Sequence, residues 1–271
     1  MSLESHVLWP ADGQGLSGLI MAEDGGSVLV VSDRGRLFEA TLERGDDGEI
    51  LAIVAWQSRE LLPPEGTDWP DTWLYKDSEG LAAMPDGRIA VSYEGLHRIA
   101  LHERDGTFRR WFGIPDSFEG VLAVNEGFEA VAATQDGLVI ALPEAWPSDP
   151  DRVPIVARRD ASEWDVLAWL PVSHGFAPVG LDIDEQGRFY LLERRFHMLR
   201  GFSSRLRRFV IDDGEISQLE TLLETRFGRF GNLEGLSLWR RADGTLIAAA
   251  IADNNENRWQ ARDMVEWALP D

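Results

Sequence analysis

Two residue types that often carry chemistry are missing or nearly so. The chain has no cysteine among its 271 residues, which excludes a disulfide framework, a thiolate zinc site and a cysteine nucleophile. Lys76 is the only lysine, and the other 25 of the 26 basic residues are arginine. No apolar run approaches the roughly 20 residues needed to cross a bilayer, so no membrane-spanning segment is expected.

Acidic residues, by contrast, are abundant. With 47 Asp and Glu against 26 Lys and Arg, the formal net charge is −21 at pH 7. Nucleic acids and anionic membrane surfaces bind proteins through basic side chains, so both are disfavoured as partners. Residues 1–6 hold neither a basic nor an apolar stretch, and no signal peptide is expected in the given sequence.

One sequence unit occurs five times. It has a small or glycine-containing apolar strand, an Asp-Gly, Gln-Gly or similar turn, a second β-rich run and a final acidic residue. The copies span 16–33, 78–94, 128–144, 178–193 and 233–253, at successive spacings of 62, 50, 50 and 55 residues. Two apolar strands joined by a residue that accepts positive φ form a β-hairpin. The sequence therefore predicts five hairpins that are built alike.

Two more strand-like runs follow each hairpin except the last, which has only one, at 261–269. The missing strand is available at 5–10. Four strands per unit at this period describe the blades of a β-propeller. We predict an all-β fold in one domain, 1–271, with five blades closed by the N-terminal strand joining the last blade. Six blades stay possible, and a β-sandwich is the other alternative, although a sandwich does not explain five copies.

The repeat also concentrates carboxylates at one mouth of the predicted channel. In a blade the first strand lines the channel and the second runs antiparallel beside it, so the first strand's start and the second strand's end share a mouth. The predicted starts are Ser17, Glu79, Glu129, Val179 and Glu234. The predicted ends are Asp33, Glu94, Glu144, Glu193 and Asp253. Eight of these ten positions are acidic, whereas composition alone gives about two.

Carboxylates that converge in this way need compensation, which a divalent cation, arginines or shared protons can supply. An oxygen-only ligand set favours Ca²⁺ or Mg²⁺ over zinc, and we prefer Ca²⁺. The expected ligands are Glu79, Glu94, Glu129, Glu193, Glu234 and Asp253. Arginines and amides beside the acids are Arg34, Arg194, Arg195, Asn232, Asn254, Asn255 and Gln260. A metal-free mouth of arginine–carboxylate pairs is therefore the competing interpretation.

These same segments resemble a known family, the phytase-like domain, described as proteins with esterase-like activity of phytase. The matching segments are LSGL with SDRG (16–35), SEGLAAMPDGRIAVSYEGLHRI (78–99), FEAVAATQDG (128–137), GLDIDEQGRFYLLERRF (180–196), RLRRF (205–209) and NLEGLSL followed by IADNNENRWQAR (232–262). The resemblance implies a β-propeller, an ester or phosphoester hydrolase activity, and a periplasmic or secreted location. The sequence departs from this pattern at three positions. The residue that heads the repeat is not acidic at Ser17 and Val179, and Ala252 stands where the family-like pattern has serine.

Two functions from different classes follow. The first is a metal-dependent hydrolase of small esters or phosphoesters, and an acidic mouth suits a neutral ester or lactone better than a phosphate. Its candidate catalytic residues are Glu79, Glu129 and Glu234 as bases and Arg194 as the anion-stabilising group. Its candidate substrate-binding residues are Arg34, His97, Arg195 and Asn254. The alternative is a non-catalytic propeller that binds a cation or small ligand, and protein–protein scaffolding is a third possibility.

Overall fold

Nearly all the regular structure is β. The computed structural model describes residues 2–10, 15–70, 72–124, 126–159, 163–254 and 262–270. The strands are β1 (Ser2–Leu8), β2 (Leu16–Met21), β3 (Ser27–Ser32), β4 (Arg36–Arg44), β5 (Ile50–Glu60), β6 (Ser78–Ala83), β7 (Ile89–Tyr93), β8 (Arg98–His102), β9 (Phe108–Gly113), β10 (Phe128–Ala133), β11 (Leu138–Pro143), β12 (Arg152–Arg159), β13 (Asp165–Pro171), β14 (Ala177–Ile183), β15 (Phe189–His197), β16 (Gly201–Asp212), β17 (Glu215–Glu224), β18 (Asn232–Arg240), β19 (Leu246–Asp253) and β20 (Asp263–Ala268). One short helix, α1 (Trp73–Lys76), and a 3₁₀ turn (Asp116–Phe118) complete the described elements.

The strands form five antiparallel sheets of four. Blades 1 to 4 take β2–β5, β6–β9, β10–β13 and β14–β17, and blade 5 takes β18, β19 and β20 with β1 as its outer strand. The first strand of each blade contacts the first strand of the next, and the contact between β18 and β2 closes the ring. The predicted five-bladed propeller, closed by the N-terminal strand, is confirmed. The six-bladed and sandwich alternatives are wrong. Among the described helices, none has the length and apolar character needed to span a membrane.

A glycine near the start of most inner strands lets the ring close tightly. A Cβ built on Gly180 would lie 2.5 Å from the backbone oxygen of Glu234, and one built on Gly80 would lie 2.6 Å from that of Glu129. Real Cβ atoms do not approach backbone this closely, so the inner strands can pack side by side only because these side chains are absent. The Gly-Leu pair in four of the five repeats therefore reflects a packing requirement.

Apolar side chains fill the spaces between the blades. Five buried clusters are present in the described residues, and each draws its members from two neighbouring blades. A blade buries both faces, which explains why inner and second strands such as β2, β7 and β19 are buried along almost their whole length. The core is thus divided among five interfaces.

A buried ion pair reinforces the junction between blades 5 and 1. Arg44 on β4 donates from both Nη atoms to the two carboxylate oxygens of Glu266 on β20, at 2.9 Å each. The Trp239 indole N–H donates to the same carboxylate at 2.8 Å, and the Ser5 hydroxyl of β1 donates to it at 3.1 Å. The Arg44 guanidinium also lies 4.2 Å from the Trp239 ring. Strand β1 is therefore tied to both blades.

The glycine requirement gives a stability prediction. We expect Gly180→Ala to lower the free energy of unfolding by about 1–3 kcal/mol, because the new methyl group must displace backbone of blade 5. Gly26→Ala is the matched control, since its Cβ would meet only the flexible Asp24 side chain, at 3.2 Å. Urea unfolding of both variants measures the difference. Equal stabilities would contradict the packing argument.

Candidate functional site

The head residue of each repeat lies at an irregularity of strand pairing. The register between the first and second strands shifts at the same place in every blade, and the shift passes over the head residue. The head residues are Ser17, Glu79, Glu129, Val179 and Glu234. A bulge of this kind redirects a side chain and is typical of the rims of channels. The sequence thus places three glutamates at equivalent points around one mouth.

The second strands contribute a second set of residues at the same mouth. The backbone N–H groups of Asp33, Glu94 and Glu144 each donate to the carbonyl of the residue two before the head of their own blade. In blade 5 the equivalent residue is Asp253, which pairs with Asn232. In blade 4 it is Arg194, which pairs with Ala177. Four carboxylates and one arginine therefore occupy these five equivalent positions.

Glu193, which the repeat predicted at this position, lies one residue earlier and faces the other side of β15. It is fully buried and accepts hydrogen bonds from Arg205 at 2.7 and 3.0 Å and from Arg207 at 2.6 Å. A slip of one residue reverses the face of a strand, so this carboxylate is removed from the mouth. The spacing within the repeat could have revealed this. In blades 2 and 3 the final residue follows the head residue by 15 positions, and 15 positions after Val179 stands Arg194 rather than Glu193.

Arg194 crosses the mouth and joins three blades. Its Nη1 donates to Glu234 at 2.6 Å and to the Asn232 side-chain oxygen at 3.1 Å. Its Nη2 donates to Glu144 at 3.1 Å and to Glu129 at 3.3 Å. Asn232 in turn donates from its amide to Glu234 at 2.6 Å. These contacts compensate one half of the acidic mouth with a single guanidinium group.

Blade 2 supplies three carboxylates to the other half. Asp77, Glu79 and Glu94 each offer an oxygen, and these atoms all lie within 4.8 Å of one another. Glu94 is held in place because its Oε1 accepts the Gly127 N–H at 2.8 Å. Sequence reasoning missed Asp77, although its position opposite Glu94 in the hairpin could have revealed it. The three form a candidate metal centre, the acidic triad.

The segment before Asp77 is fixed by an arginine among aromatic rings. Arg98 donates to the Tyr75 carbonyl of α1 and to the Leu96 carbonyl, the latter at 2.7 Å. Its guanidinium lies 4.4 Å from the Tyr93 ring and 5.1 Å from the Trp111 ring. Helix α1 ends at Lys76, so this anchorage also positions the aspartate of the acidic triad.

The remaining predicted residues lie at different depths. Asp253 is buried, and Asn254 accepts the Gly15 N–H at 3.2 Å beside Asp33. Arg34 lies at the exposed rim, with its Nε 3.8 Å from Asp33 Oδ1. His97 packs near Glu94, since a Cβ on Gly127 would touch both side chains, and its Nε2 lies 2.9 Å from the Ala123 carbonyl. Asn255 and Gln260 lie outside the described residues.

Arg195 is separated from the acidic mouth. It donates to Glu224 at 3.0 Å and packs against the rings of Phe176 and Phe227 at 4.3 and 4.8 Å. Because it follows Arg194 directly on a strand, the two side chains point to opposite faces. The predicted substrate contact at Arg195 therefore lies apart from the acidic triad and from the carboxylates that Arg194 binds.

Burial and mutual repulsion raise the pKa of several carboxyls at the mouth. The pKa rises to about 7 at Asp33 and Glu94 and to about 8 at Glu234, with burial the largest cause in each case. At Glu79 and Glu129 burial again comes first, and the pKa lies well above its usual range. Arg194 opposes this shift at Glu129 and Glu234. Several of these groups therefore hold protons near neutral pH when no cation is bound.

The residues present fit a hard divalent cation. The acidic triad provides oxygen donors only, which Ca²⁺ and Mg²⁺ prefer. Glu129 Oε2 is buried and has no hydrogen-bond partner in the described part of the chain. An orphaned carboxylate oxygen in a dry environment is costly and calls for a cation or a proton. The arginine–carboxylate interpretation describes the half of the mouth that holds Glu129, Glu144 and Glu234, which Arg194 binds. In the acidic triad, the charge of Arg34 opposes the rise that burial causes in the pKa of Asp77.

Comparison with known proteins identifies relatives at the level of family and fold. A family model described as "Phytase-like: Esterase-like activity of phytase" matches residues 12–256. Among curated proteins the comparison finds no match. A solved nidogen/laminin complex is similar with a TM-score of 0.50 at 13% identity, over 88% of this chain and 76% of that one. A PQQ-bound aldose sugar dehydrogenase from Streptomyces coelicolor reaches a TM-score of 0.47 at 11% identity, over 96% and 97% of the two chains. At these identities the likeness concerns the propeller fold alone.

The raised pKa values predict that stability falls with pH when no divalent cation is present. The folded protein keeps protons on these carboxyls that the unfolded chain releases near pH 4. Their contribution to the free energy of unfolding is therefore complete below about pH 4 and is lost as the pH rises towards 7 to 8. Burial lowers the pKa of His102 to about 4, so this residue makes stability rise with pH up to about pH 6.5. The carboxyls with raised pKa values are more numerous, and their effect dominates. At about 1.4 kcal/mol per pKa unit, the melting temperature in chelator should fall by several degrees between pH 5 and 8.

Calorimetry in chelator across that range is the measurement. Glu234→Gln should flatten the slope, because it removes a group that titrates to about pH 8. A melting temperature that stays level or rises from pH 5 to 8 in the parent protein would rule out raised pKa values at the mouth.

The buried position of Glu193 gives a second prediction. Glu193→Gln should cost about 3–5 kcal/mol of unfolding free energy, because Arg205 and Arg207 stay buried without their anion. Glu220→Gln is the matched control on the same blade. It removes a half-exposed partner of Arg208 and should cost less than about 1 kcal/mol. Denaturant unfolding separates the two, and equal costs would mean that Glu193 is not a structural anchor.

Proposed function

The chain belongs to the phytase-like family, described as esterase-like activity of phytase, and on that premise we propose that its acidic channel mouth is the active site of a metal-dependent hydrolase of small esters. The observation that supports this most directly is the division of the mouth. One half is the all-oxygen acidic triad, and the other half holds buried glutamates fixed by Arg194. Both halves face the same channel entrance.

Asp77, Glu79 and Glu94 are the residues that would hold the cation, with Ca²⁺ preferred over Mg²⁺. Ca²⁺ accepts irregular sets of carboxylates, whereas Mg²⁺ demands near-octahedral geometry. When bound, a divalent cation supplies Lewis-acid polarisation of an ester oxygen and a more acidic water. Of the predicted ligands, Glu79 and Glu94 belong to this triad.

Glu129 is the proposed general base. Its Oε1 is fixed by Arg194, while its Oε2 is buried without a hydrogen-bond partner in the described residues. Burial raises the pKa of Glu129 well above its usual range, which makes the ionised carboxylate a stronger base. The carboxylate can therefore take a proton from a water molecule at the mouth while Arg194 keeps its orientation.

The charge of the mouth favours neutral esters over phosphate esters. Eight carboxylates interact there, and two nearby arginines, Arg194 and Arg34, offset them. A phosphate group brings at least one further negative charge into this field, whereas a neutral ester or lactone brings none. Small esters are therefore the proposed substrates, and phosphoesters the weaker choice. Export to the periplasm or beyond stays a prediction from the family.

The hydrogen bonding of Arg194 favours a second candidate function, a propeller that binds a cation without catalysis. The two Nη atoms of Arg194 already make four hydrogen bonds to side chains of the mouth, which leaves them no donor for a developing oxyanion. A propeller that binds a cation at the acidic triad without performing hydrolysis would have the same arrangement. Direct binding and turnover measurements distinguish the two functions.

The first test is calorimetric titration of the metal-stripped protein with Ca²⁺ and with Mg²⁺. Asp77→Asn and Glu79→Gln should each weaken Ca²⁺ binding by at least about tenfold, because each removes a charged ligand. Glu23→Gln, an exposed carboxylate outside the mouth, is the control and should bind as the parent does. Unchanged affinity in both triad variants would remove the acidic triad as the cation site.

The second test is hydrolysis of p-nitrophenyl acetate, p-nitrophenyl butyrate and p-nitrophenyl phosphate with Ca²⁺ present. Glu129→Gln should retain Ca²⁺ binding but lose about 10²- to 10⁴-fold in kcat, the usual worth of a general base. Cation binding with no turnover of any substrate would favour the non-catalytic propeller. Turnover that persists in chelator and in Glu79→Gln would contradict a metal-dependent mechanism.

A further inference from the structure

A cleft of about 620 Å³ opens beside the acidic mouth, between blades 3 and 4. Its walls come from the loop 144–151, which joins β11 to β12, and from the loop 172–176, which joins β13 to β14. This volume falls within the range of sites that enclose small organic molecules. The cleft is distinct from the acidic triad, since none of the three triad residues lines it.

The cleft and the mouth share a boundary. Glu144 lines the cleft and also accepts a hydrogen bond from Arg194 at 3.1 Å. Ala177 lines the cleft as well, and it is paired with Arg194 across β14 and β15. A molecule seated in the cleft therefore lies next to the carboxylates that Arg194 holds, and a group extending from it can reach the mouth.

The walls combine apolar surface with uncompensated negative charge. Trp146, Val172 and Phe176 provide apolar surface. Glu126 and Asp151 provide carboxylates, and neither makes a salt bridge or a side-chain hydrogen bond in the described ranges. Among the described residues, no lysine or arginine lines the cleft. Arg195 and Arg205 lie over the Phe176 ring but are bound to Glu224 and Glu193.

Hydrogen bonds from Arg195 and Arg205 fix the conformation of the 172–176 loop, which forms one wall of the cleft. His174 adopts a φ of 59° at the turn of the 172–176 loop, and its carbonyl accepts a hydrogen bond from Arg195 at 3.4 Å. Ser173 accepts one from Arg205 at 3.2 Å through its hydroxyl. Both arginines are anchored by glutamates, so the cleft is formed before any ligand arrives, as small-molecule sites usually are.

We infer that this cleft is a subsite for an apolar group carrying a positive charge, such as an amine or quaternary ammonium on the non-reacting half of the substrate. The inference rests on the proposed hydrolase function for its role as a subsite, although binding itself does not require hydrolysis. The apolar walls favour a hydrocarbon or aromatic body, and unpaired carboxylates favour a cation over a neutral or anionic group. The ester would then project towards the Glu129 half of the mouth.

Three matched probes test the charge preference: benzyltrimethylammonium, benzyl alcohol and phenylacetate. The cationic probe should bind most tightly in calorimetric or NMR titration, and phenylacetate should bind least. The double variant Glu126→Gln with Asp151→Asn should weaken the cationic probe by about five- to tenfold, as expected for two partly exposed ion pairs. It should leave benzyl alcohol unchanged. The matched control is Glu119→Gln, an exposed carboxylate outside the cleft.

A blocking variant, Ala145→Trp, tests the location, since Ala145 lines the cleft. It should abolish binding of both the cationic and the neutral probe while the Ca²⁺ affinity of the acidic triad stays unchanged. Equal binding of all three probes, or no effect of the charge and blocking variants, would overturn the inference.

The same experiments separate this inference from the proposed function. Cationic binding in the cleft without hydrolysis of any ester would refute the hydrolase and leave the cleft as a cation-selective binding site. Ester hydrolysis whose KM for a cationic ester is unaffected by the charge and blocking variants would refute the cleft alone.

Discussion

Repulsion among carboxylates is the constraint around which the channel mouth is organised. A ring of equivalent hairpins repeats any residue placed at its end, so an acidic repeat accumulates charge at one point as the blades close. The structure relieves this in three ways. Arg194 replaces the acid in blade 4 and binds three of the others, burial raises the pKa of several carboxyls, and Ser17 and Val179 leave two head positions uncharged. In the acidic triad of blade 2, Asp77 hydrogen-bonds Glu79 and lies within the field of Arg34.

The departure from fivefold symmetry is therefore what makes the mouth chemically useful. A uniform ring of acids would attract cations without distinguishing one position from another. With the guanidinium on one side, the glutamates of blades 3 and 5 are oriented and partly neutralised, while blade 2 keeps three carboxylate oxygens close together. A cation and a proton acceptor can then stand at separate places around a single opening.

Much of this could be predicted from the sequence, because the relevant signals are periodic. The spacing of hairpins predicted the five blades and the closing strand, and the antiparallel pairing within each hairpin predicted the positions of seven of the eight acids at the mouth. Glu193 was predicted on the wrong face because an error of one residue in register reverses which side chains of a strand face the channel. The Glu-Arg-Arg sequence at 193–195 does not by itself show which of its residues faces the mouth. Asp77 was missed because it precedes the repeat. The partners of Glu193, Arg205 and Arg207, lie on the next strand, and only the strand register brings them together.

Strand β1 pairs with β20, so a strand near the beginning of the chain finds its partner near the end. During synthesis on the ribosome, blades 1 to 4 can each pair their own four strands as they emerge, since all four are consecutive. Blade 5 cannot. Until residues 263–268 leave the exit tunnel, β1 has no partner, Glu266 is absent from its place between Arg44 and Trp239, and the apolar face of blade 1 that packs on blade 5 stays open to water. The nascent chain is thus an unclosed ring whose apolar blade 1 face is covered only when the last blade forms.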